Sequence, residues 1–376
     1  MPAEEGGVGE AGAAGGERYR AAFTDWLACA SRGFSEPAAR AASAAGDPFV
    51  TLGTAGHVLD FDDTYLPGIA HLSAPVAPAA LALGAHEGAT VGDVLAAYAD
   101  GFEAMGALAA AGHPALYDRG WHPTAVCGAV GAAVAAARLL GAGSETAAAL
   151  AALRAAGLRA AFGSDGKSIQ VGLAAATGVA AARLAQAGAT VPADRIAAAW
   201  EQAYGGRWST TPHDAVARNW IKAWPCCLQT HGAIECAERV GAAPDGPITV
   251  LAHPVSRQAA SYDAVETPLE AKFSIPYTTA FTLLHGGPRV DDFGALDPAA
   301  QTLAERITVR TDDALQESEF ALLAGDEELA RVDAARGSPQ HPLSPGELQA
   351  KVHALAGDRF DDLADDEPAA ELIARI

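Results

Sequence analysis

Between His57 and His71 the chain carries Asp60, Asp62, Asp63 and Thr64, a dense run of groups that bind metals or move protons. Three readings compete: a metal site, an acid/base shuttle and a solvated loop. Distant residues favour the shuttle. His122 stands in Trp121-His-Pro-Thr124, Lys167 ends Gly163-Ser-Asp-Gly-Lys167, and Lys222 lies between Trp220 and Trp224. Each interrupts an apolar stretch. A histidine before a proline at a helix start feels the positive end of the helix dipole, which favours neutral imidazole and a nearby anion. Apolar walls lower a lysine pKa, whereas a bound carboxylate keeps it charged.

Other chemistries are poorer matches. A calcium loop needs oxygen ligands at alternate positions, a central Gly and a terminal Glu, and this order is absent. No HExxH or spaced CxxC pair suits zinc, so no metal is expected. No G-x-S-x-G elbow occurs. Cys227 and His231 form an i,i+4 pair, read either as a thiolate–imidazole couple or as a buried cysteine near a helix start. No dinucleotide fingerprint or phosphate loop is seen, so no nucleotide cofactor is expected.

The elements that must position these groups are mainly helical. Half the residues are hydrophobic but only 6% are aromatic. Alanine favours helix, and small side chains let helices approach closely. Residues 1–16 read as a disordered leader. Helices are predicted over 17–45, 74–87, 91–111, 123–140, 144–161, 170–187 and 193–203, broken at Gly88, Gly112–Pro114, Gly141, Gly163 and Pro192. After about 240 the composition shifts. β-Branched runs at 248–251 and 307–310 predict strands, 318–332 a hairpin, and 276–286 and 346–356 helices. The expected fold is mainly α: a helical domain over 17–235 plus 340–376, and a small α+β lid over 236–339.

The chain of 376 residues has 25 basic and 46 acidic residues, a net charge of −21. That leaves no basic stripe for a nucleic-acid partner. Residues 125–137 are apolar but too short to span a bilayer, so no membrane partner is expected. Five cysteines without paired spacing, and a start unlike a signal peptide, fit a reduced cytoplasmic protein.

From about residue 50 to 356 the chain resembles the MmgE/PrpD family, which includes 2-methylcitrate dehydratase, cis-aconitate decarboxylase and iminodisuccinate epimerase. The resemblance rests on His57-Val-Leu-Asp-Phe-Asp-Asp-Thr64, His71-Leu-Ser-Ala-Pro75, Gly120-Trp-His-Pro-Thr124, the Lys167 run, and Trp224-Pro-Cys-Cys227 with Thr230-His231. It continues through Pro268-Leu-Glu-Ala-Lys-Phe-Ser-Ile-Pro-Tyr277 and Arg336-Gly-Ser-Pro339. It implies a helical domain with an α+β lid, a homodimer, and cofactor-free chemistry on a small carboxylate substrate. The implied catalytic residues are His122, Lys222, Asp60, Tyr277 and Lys167, with Thr64, His71, Cys227 and His231 binding substrate. His122 is the expected general base or acid. Lys167, Lys222 and His71 are expected to bind carboxylate and stabilise an enolate, with Tyr277 reaching in from the lid.

Cys227 stands where the decarboxylase branch usually has histidine, as in many dehydratase-like members, which weighs against decarboxylation of cis-aconitate. Ser168 in place of a common Pro, Gln170 in place of a common His and a trimmed lid point to an altered substrate, such as an intermediate of specialised metabolism. The first expectation is a dehydratase acting on a β-hydroxy carboxylate. An epimerase or isomerase, a cis-aconitate-type decarboxylase and a non-catalytic binding homologue are the alternatives.

Overall fold

A computed structural model describes residues 8–376. The N-terminal half is a run of helices: α1 (Val8–Gly33), α2 (Pro37–Ala45), α3 (Pro48–His57), α4 (Ser73–Glu87), α5 (Val91–Gly112), α6 (Ala115–Asp118), α7 (Pro123–Leu140), α8 (Ser144–Ala152), α9 (Gly166–Gln186) and α10 (Ala193–Tyr204). A two-residue pairing of β1 (Thr64–Tyr65) with β2 (Asn219–Trp220) ties the acidic loop to the segment bearing Lys222. The second half contains α11 (Leu228–Val240), α12 (Pro254–Ala259), α13 (Pro268–Ala271), α14 (Ile275–His285) and α15 (Pro298–Ala304), with a four-stranded sheet. Its strands are β3 (Ile248–Ala252), β4 (Ile307–Thr311), β5 (Phe320–Ala324) and β6 (Glu327–Val332), in the order β4-β3-β5-β6. Only β3 and β4 run parallel. Finally α16 (Pro345–Ala356) and α17 (Ala369–Ile373) return to the helical body, where Val352 and Leu372 join its core.

Small residues explain how the helices meet. A Cβ placed on Gly53 of α3 would lie 2.7 Å from the Gly172 Cα of α9. One on Gly101 of α5 would lie 2.5 Å from the Gly131 carbonyl oxygen of α7. Backbones this close exclude any larger side chain at those points. Helix α7 sits among α4, α5, α8 and α9. Helices α5, α7 and α9 are each long and apolar enough to cross a membrane. The apolar run over 125–137 is thus part of an 18-residue helix, because Pro123 and Thr124 on one side and Arg138, Leu139 and Leu140 on the other extend it.

Several boundaries differ from those read in the sequence. Of the leader assigned to 1–16, residues 1–7 lie outside the described residues, and from Val8 the chain is helical. Once a helix is nucleated, each added alanine costs little entropy for one more hydrogen bond. The single helix expected over 17–45 is two, separated before Pro37, whose ring fits only the first turn. The helix expected over 144–161 ends at Ala152. A second hydrophobic core begins earlier than the shift near 240: it takes in Trp220, Trp224 and Cys226, with Ile234 and Ala237 of α11. That helix packs on β5 and β6, so its apolar face belongs to the sheet.

Lys351 of α16 fastens the returning chain. Its Nζ lies 2.6 Å from Asp25 Oδ1 of α1 and donates to the Phe61 carbonyl at 2.8 Å. It also sits 3.9 Å from the Phe61 ring centroid. Removing one partner of a buried pair leaves the other without compensation. Lys351→Met should therefore destabilise the protein by about 3 kcal/mol, read as a lower thermal midpoint, and adding Asp25→Asn should recover part of the loss. A midpoint equal to wild type would show that the pair does not hold α16.

Candidate active site

The candidate site is built around the irregular loop after α3. Asp60 has a left-handed backbone (φ 53°), which non-glycine residues rarely adopt. The buried carbonyls of this loop have no regular ladder to join, so lysines supply the donors. Lys272 Nζ donates to the Leu59 carbonyl at 2.7 Å. Lys222 Nζ donates to the Asp60 carbonyl at 2.9 Å and to its Oδ1 at 2.6 Å. The third Lys222 donor goes to the Cys226 carbonyl at 2.9 Å. Lys222 is thus fully buried with all three protons engaged. This corrects its expected role. It has no donor left for a substrate, does not line the cleft, and acts by fixing Asp60.

The cleft itself is lined by Asp60, Thr64, His71, His122, Lys167 and Cys227, with apolar walls from Leu66, Ile69, Phe162 and Phe273. It is tight: the centre of a water molecule can reach only about 30 Å³. Lys167 Nζ lies 3.1 Å from Asp60 Oδ1 but makes no hydrogen bond, and the rings of Phe162 and Phe273 flank it at 5.6 and 5.2 Å. It is a cation with donors to spare, facing the cleft. Burial alone would raise the Asp60 pKa, but Lys167 and Lys222 hold it well below the usual carboxylate range.

Asp62 organises two imidazoles. Its Oδ2 lies 3.0 Å from His57 Nδ1 and 3.1 Å from His71 Nδ1. Burial opposes its ionisation, but these two rings keep it a carboxylate. Each ring therefore donates from Nδ1, and neutral His71 leaves Nε2 bare. That atom stands 3.5 Å from Asp60 Oδ1, and Thr124 Oγ1 fixes the residue by accepting from the His71 N–H at 3.1 Å. Burial first, then Lys222 and Lys167 against the pull of Asp62, lower the His71 pKa to about 3. Burial and Lys167 likewise hold His122 well below the imidazole range. Asp63 is different: burial and then Asp62 push it up to about 8, against the Asn219 amide and the Ser73 N–H, which donate to its two oxygens.

Two expected site residues are not brought to the cleft. Tyr277 is buried in the second core, and its hydroxyl accepts from the Asp297 N–H at 2.9 Å. Its ring thus reaches the start of α15, where Asp297 is the N-cap residue. His231 is 3.3 Å from the Cys226 carbonyl through Nε2 and meets the Trp224 ring edge-on at 5.1 Å. Cys227 does line the cleft, but burial and then Asp60 push its thiol up to about 11, so no thiolate–imidazole couple forms with His231.

Sequence reasoning missed Tyr117, Thr124 and Phe162 in the lining, Lys272 behind it, and the Asp62 bridge. The signal for Asp62 was present in its own motif. His57, Asp62 and His71 also form a group with the residue types to hold a metal ion, their nearest ligand atoms all within 4.8 Å of one another. One carboxylate accepting from two Nδ1–H groups accounts for this geometry by hydrogen bonding.

Fold and site together define a helical protein with an α+β second unit and a buried acid/base cleft where the two cores meet. Residues 46–208 match the MmgE/PrpD N-terminal domain and residues 224–374 the MmgE/PrpD C-terminal domain. The chain belongs to the MmgE/PrpD family, a dehydratase/lyase-type superfamily. A comparison with curated proteins returned no match.

The buried imidazoles set a pH dependence. His57, His71, His122 and His231 all have lowered pKa values in the fold. Unfolding exposes them to an ordinary value of about 6.5. Below that pH the unfolded chain binds more protons, so stability present above it is lost as pH falls. Asp25 and Asp63, raised to about 6 and about 8, and Glu238, raised by burial, act in the opposite sense, while His213, lowered by burial, joins the other imidazoles: three groups against five. The thermal midpoint should fall between pH 6.5 and 5, and His231→Gln should flatten that fall. A wild-type midpoint that holds or rises on acidification would show that these rings charge within the fold.

Proposed function

We propose that the protein is a cofactor-independent hydro-lyase that removes water from a β-hydroxy carboxylate by taking the proton α to a carboxylate. The observation that carries this reading is the His71–Asp62 pair beside the unbonded Lys167 ammonium, in one apolar-walled cleft. Lys167 would hold a substrate carboxylate and stabilise the charge that develops on it. Thr64 adds a hydroxyl to the same wall. The base is His71 Nε2. On taking a proton it becomes an imidazolium between Asp62 and Asp60, so the 3.5 Å approach to Asp60 turns from unfavourable to favourable.

The electron pair of the broken C–H bond forms the alkene, and the β C–O bond breaks. The departing hydroxyl takes the proton back from His71, so water leaves and the imidazole is restored. A carboxylate bound on Lys167 offsets one of the cations that depress His71, which brings the base closer to working pH. A cleft this small must widen to admit substrate, and the side chains of Leu66, Ile69 and Phe162 are the ones in the way. Alternative outcomes are epimerisation, which returns the proton to the opposite face, and decarboxylation.

Proton NMR in deuterated water separates these reactions. With citrate, 2-methylcitrate and malate as probes, an alkene signal from at least one supports dehydration. Exchange at the α carbon without an alkene identifies an epimerase, and release of carbon dioxide from cis-aconitate a decarboxylase. No turnover of these acids, together with no shift of the thermal midpoint, would support a non-catalytic homologue. On the acid that reacts, His71→Gln should abolish turnover, and Lys167→Met should raise KM by about 10- to 100-fold, the value of a charge-assisted hydrogen bond.

For the assembly we propose a cytoplasmic homodimer. Leu153, Leu158, Leu173 and Leu184 are each more than half exposed around α8 and α9, an apolar surface suited to a second copy. Light scattering at micromolar concentration should give twice the chain mass, and Leu173→Glu with Leu184→Glu should reduce it to one.

A further inference from the structure

Gln170 of α9 touches His122 from behind the cleft. Its Oε1 accepts the Leu158 N–H at 2.9 Å, and its Nε2 donates to the Leu158 carbonyl at 3.2 Å. A backbone N–H only donates and a backbone carbonyl only accepts, so this double contact fixes which way the amide points. The remaining Nε2 proton is directed at His122 Nδ1, 2.7 Å away. An N–H aimed at Nδ1 requires a lone pair there. The ring proton of neutral His122 therefore sits on Nε2. Among the described residues Nε2 has no hydrogen-bond partner, and His122 lines the cleft whereas Gln170 lines the outer groove beside Leu158.

We infer that Gln170 is a positioning residue that locks His122 as a neutral Nε2–H donor, barring it from service as a proton acceptor. Protonating Nδ1 would set two N–H groups against each other at 2.7 Å. The other groups around the ring work in the same direction or weakly against it. Lys167 of α9, His57 of α3 and His71 disfavour a charge on His122, Asp60 favours one, and the Phe162 ring meets it edge-on at 5.0 Å. The amide also draws electron density from Nδ1, which strengthens Nε2–H as a donor toward a developing enolate oxygen.

The two cleft histidines are thereby wired oppositely. Asp62 accepts from His71 Nδ1 and leaves Nε2 bare; Gln170 donates to His122 Nδ1 and leaves Nε2 protonated. This removes the base half of the base-or-acid role expected of His122 and leaves it that of a proton-bearing donor. It also deprives the site of a second imidazole base, which disfavours two-base epimerisation. The catalytic consequence rests on the proposed proton-abstraction reading, but the tautomer does not.

Nitrogen-15 NMR of the histidine-labelled full chain tests the tautomer directly, with His122 assigned by comparison with His122→Gln. The expected spectrum shows Nδ1 unprotonated and Nε2 protonated from pH 5 to 8, without titration. A proton on Nδ1, or a titration near pH 6.5, overturns the inference. Gln170→Glu replaces the donor by an acceptor and should move the proton to Nδ1 or charge the ring, with kcat down on the order of 100-fold as for a lost oxyanion donor. Gln170→Met removes the donor without adding charge and should let the ring proton redistribute between Nδ1 and Nε2, read as a change in both nitrogen-15 shifts together with a lower kcat. If both variants fold and keep the wild-type tautomer and pH profile, Gln170 does not position His122. If the tautomer is as stated but no probe acid reacts, the proposed function fails while the wiring stands.

Discussion

Three lysines from distant parts of the chain donate to three consecutive carbonyls, those of Leu59, Asp60 and Phe61. The rest of the site depends on this arrangement. A buried loop that is neither helix nor strand leaves strong acceptors unpaired, and each unpaired acceptor is costly. Ammonium groups satisfy them and bring positive charge as well. Lys222 uses that charge to hold Asp60 ionised in a left-handed backbone, and Lys351 uses it to bind Asp25 of the first helix. The same contacts that close the two cores onto the loop thus set the electrostatics of the cleft.

The charges are arranged in alternation. Lys222 and Lys167 flank Asp60, and Asp62 lies between two imidazoles. Asp63, one residue further, has its pKa raised by burial and then by Asp62, with no cation beside it to offset them. Three neighbouring aspartates therefore behave in three ways: a paired anion, an imidazole-orienting anion and an acid of raised pKa that accepts from Ser73 and Asn219. Burial is common to all of them, and their partners make the difference.

The small residues serve this chemistry indirectly. Gly172 lets α9 lie against α3, and α9 carries both Lys167 and Gln170. Displacing α9 by the width of a methyl group would move the cleft cation and the amide behind His122 together. The glycine-rich helices act as a rigid base that keeps side chains from separate helices in fixed relation.

Much of this was legible in the chain. The helical body, the small α+β region, a hairpin expected over 318–332 and found over 320–332, and the family followed from periodicity, β-branched runs and motif order. Asp60, Thr64, His71, His122, Lys167 and Cys227 were also identified, and they do meet in one cleft. Such features are local or additive, so residue type and spacing carry them. The sequence could not assign roles among like groups. Lys167 and Lys222 look alike as single lysines between apolar residues, yet one has its donors free and the other has none left. Tyr277 stands in a motif but points at Asp297. Which nitrogen of His71 or His122 holds the proton depends on Asp62 and Gln170, and the second of these is 48 residues from its ring. Residue identity determined which groups were present. Only the tertiary structure decided what each one faces, because a proton's position is set by the partner within hydrogen-bonding distance and not by chain order.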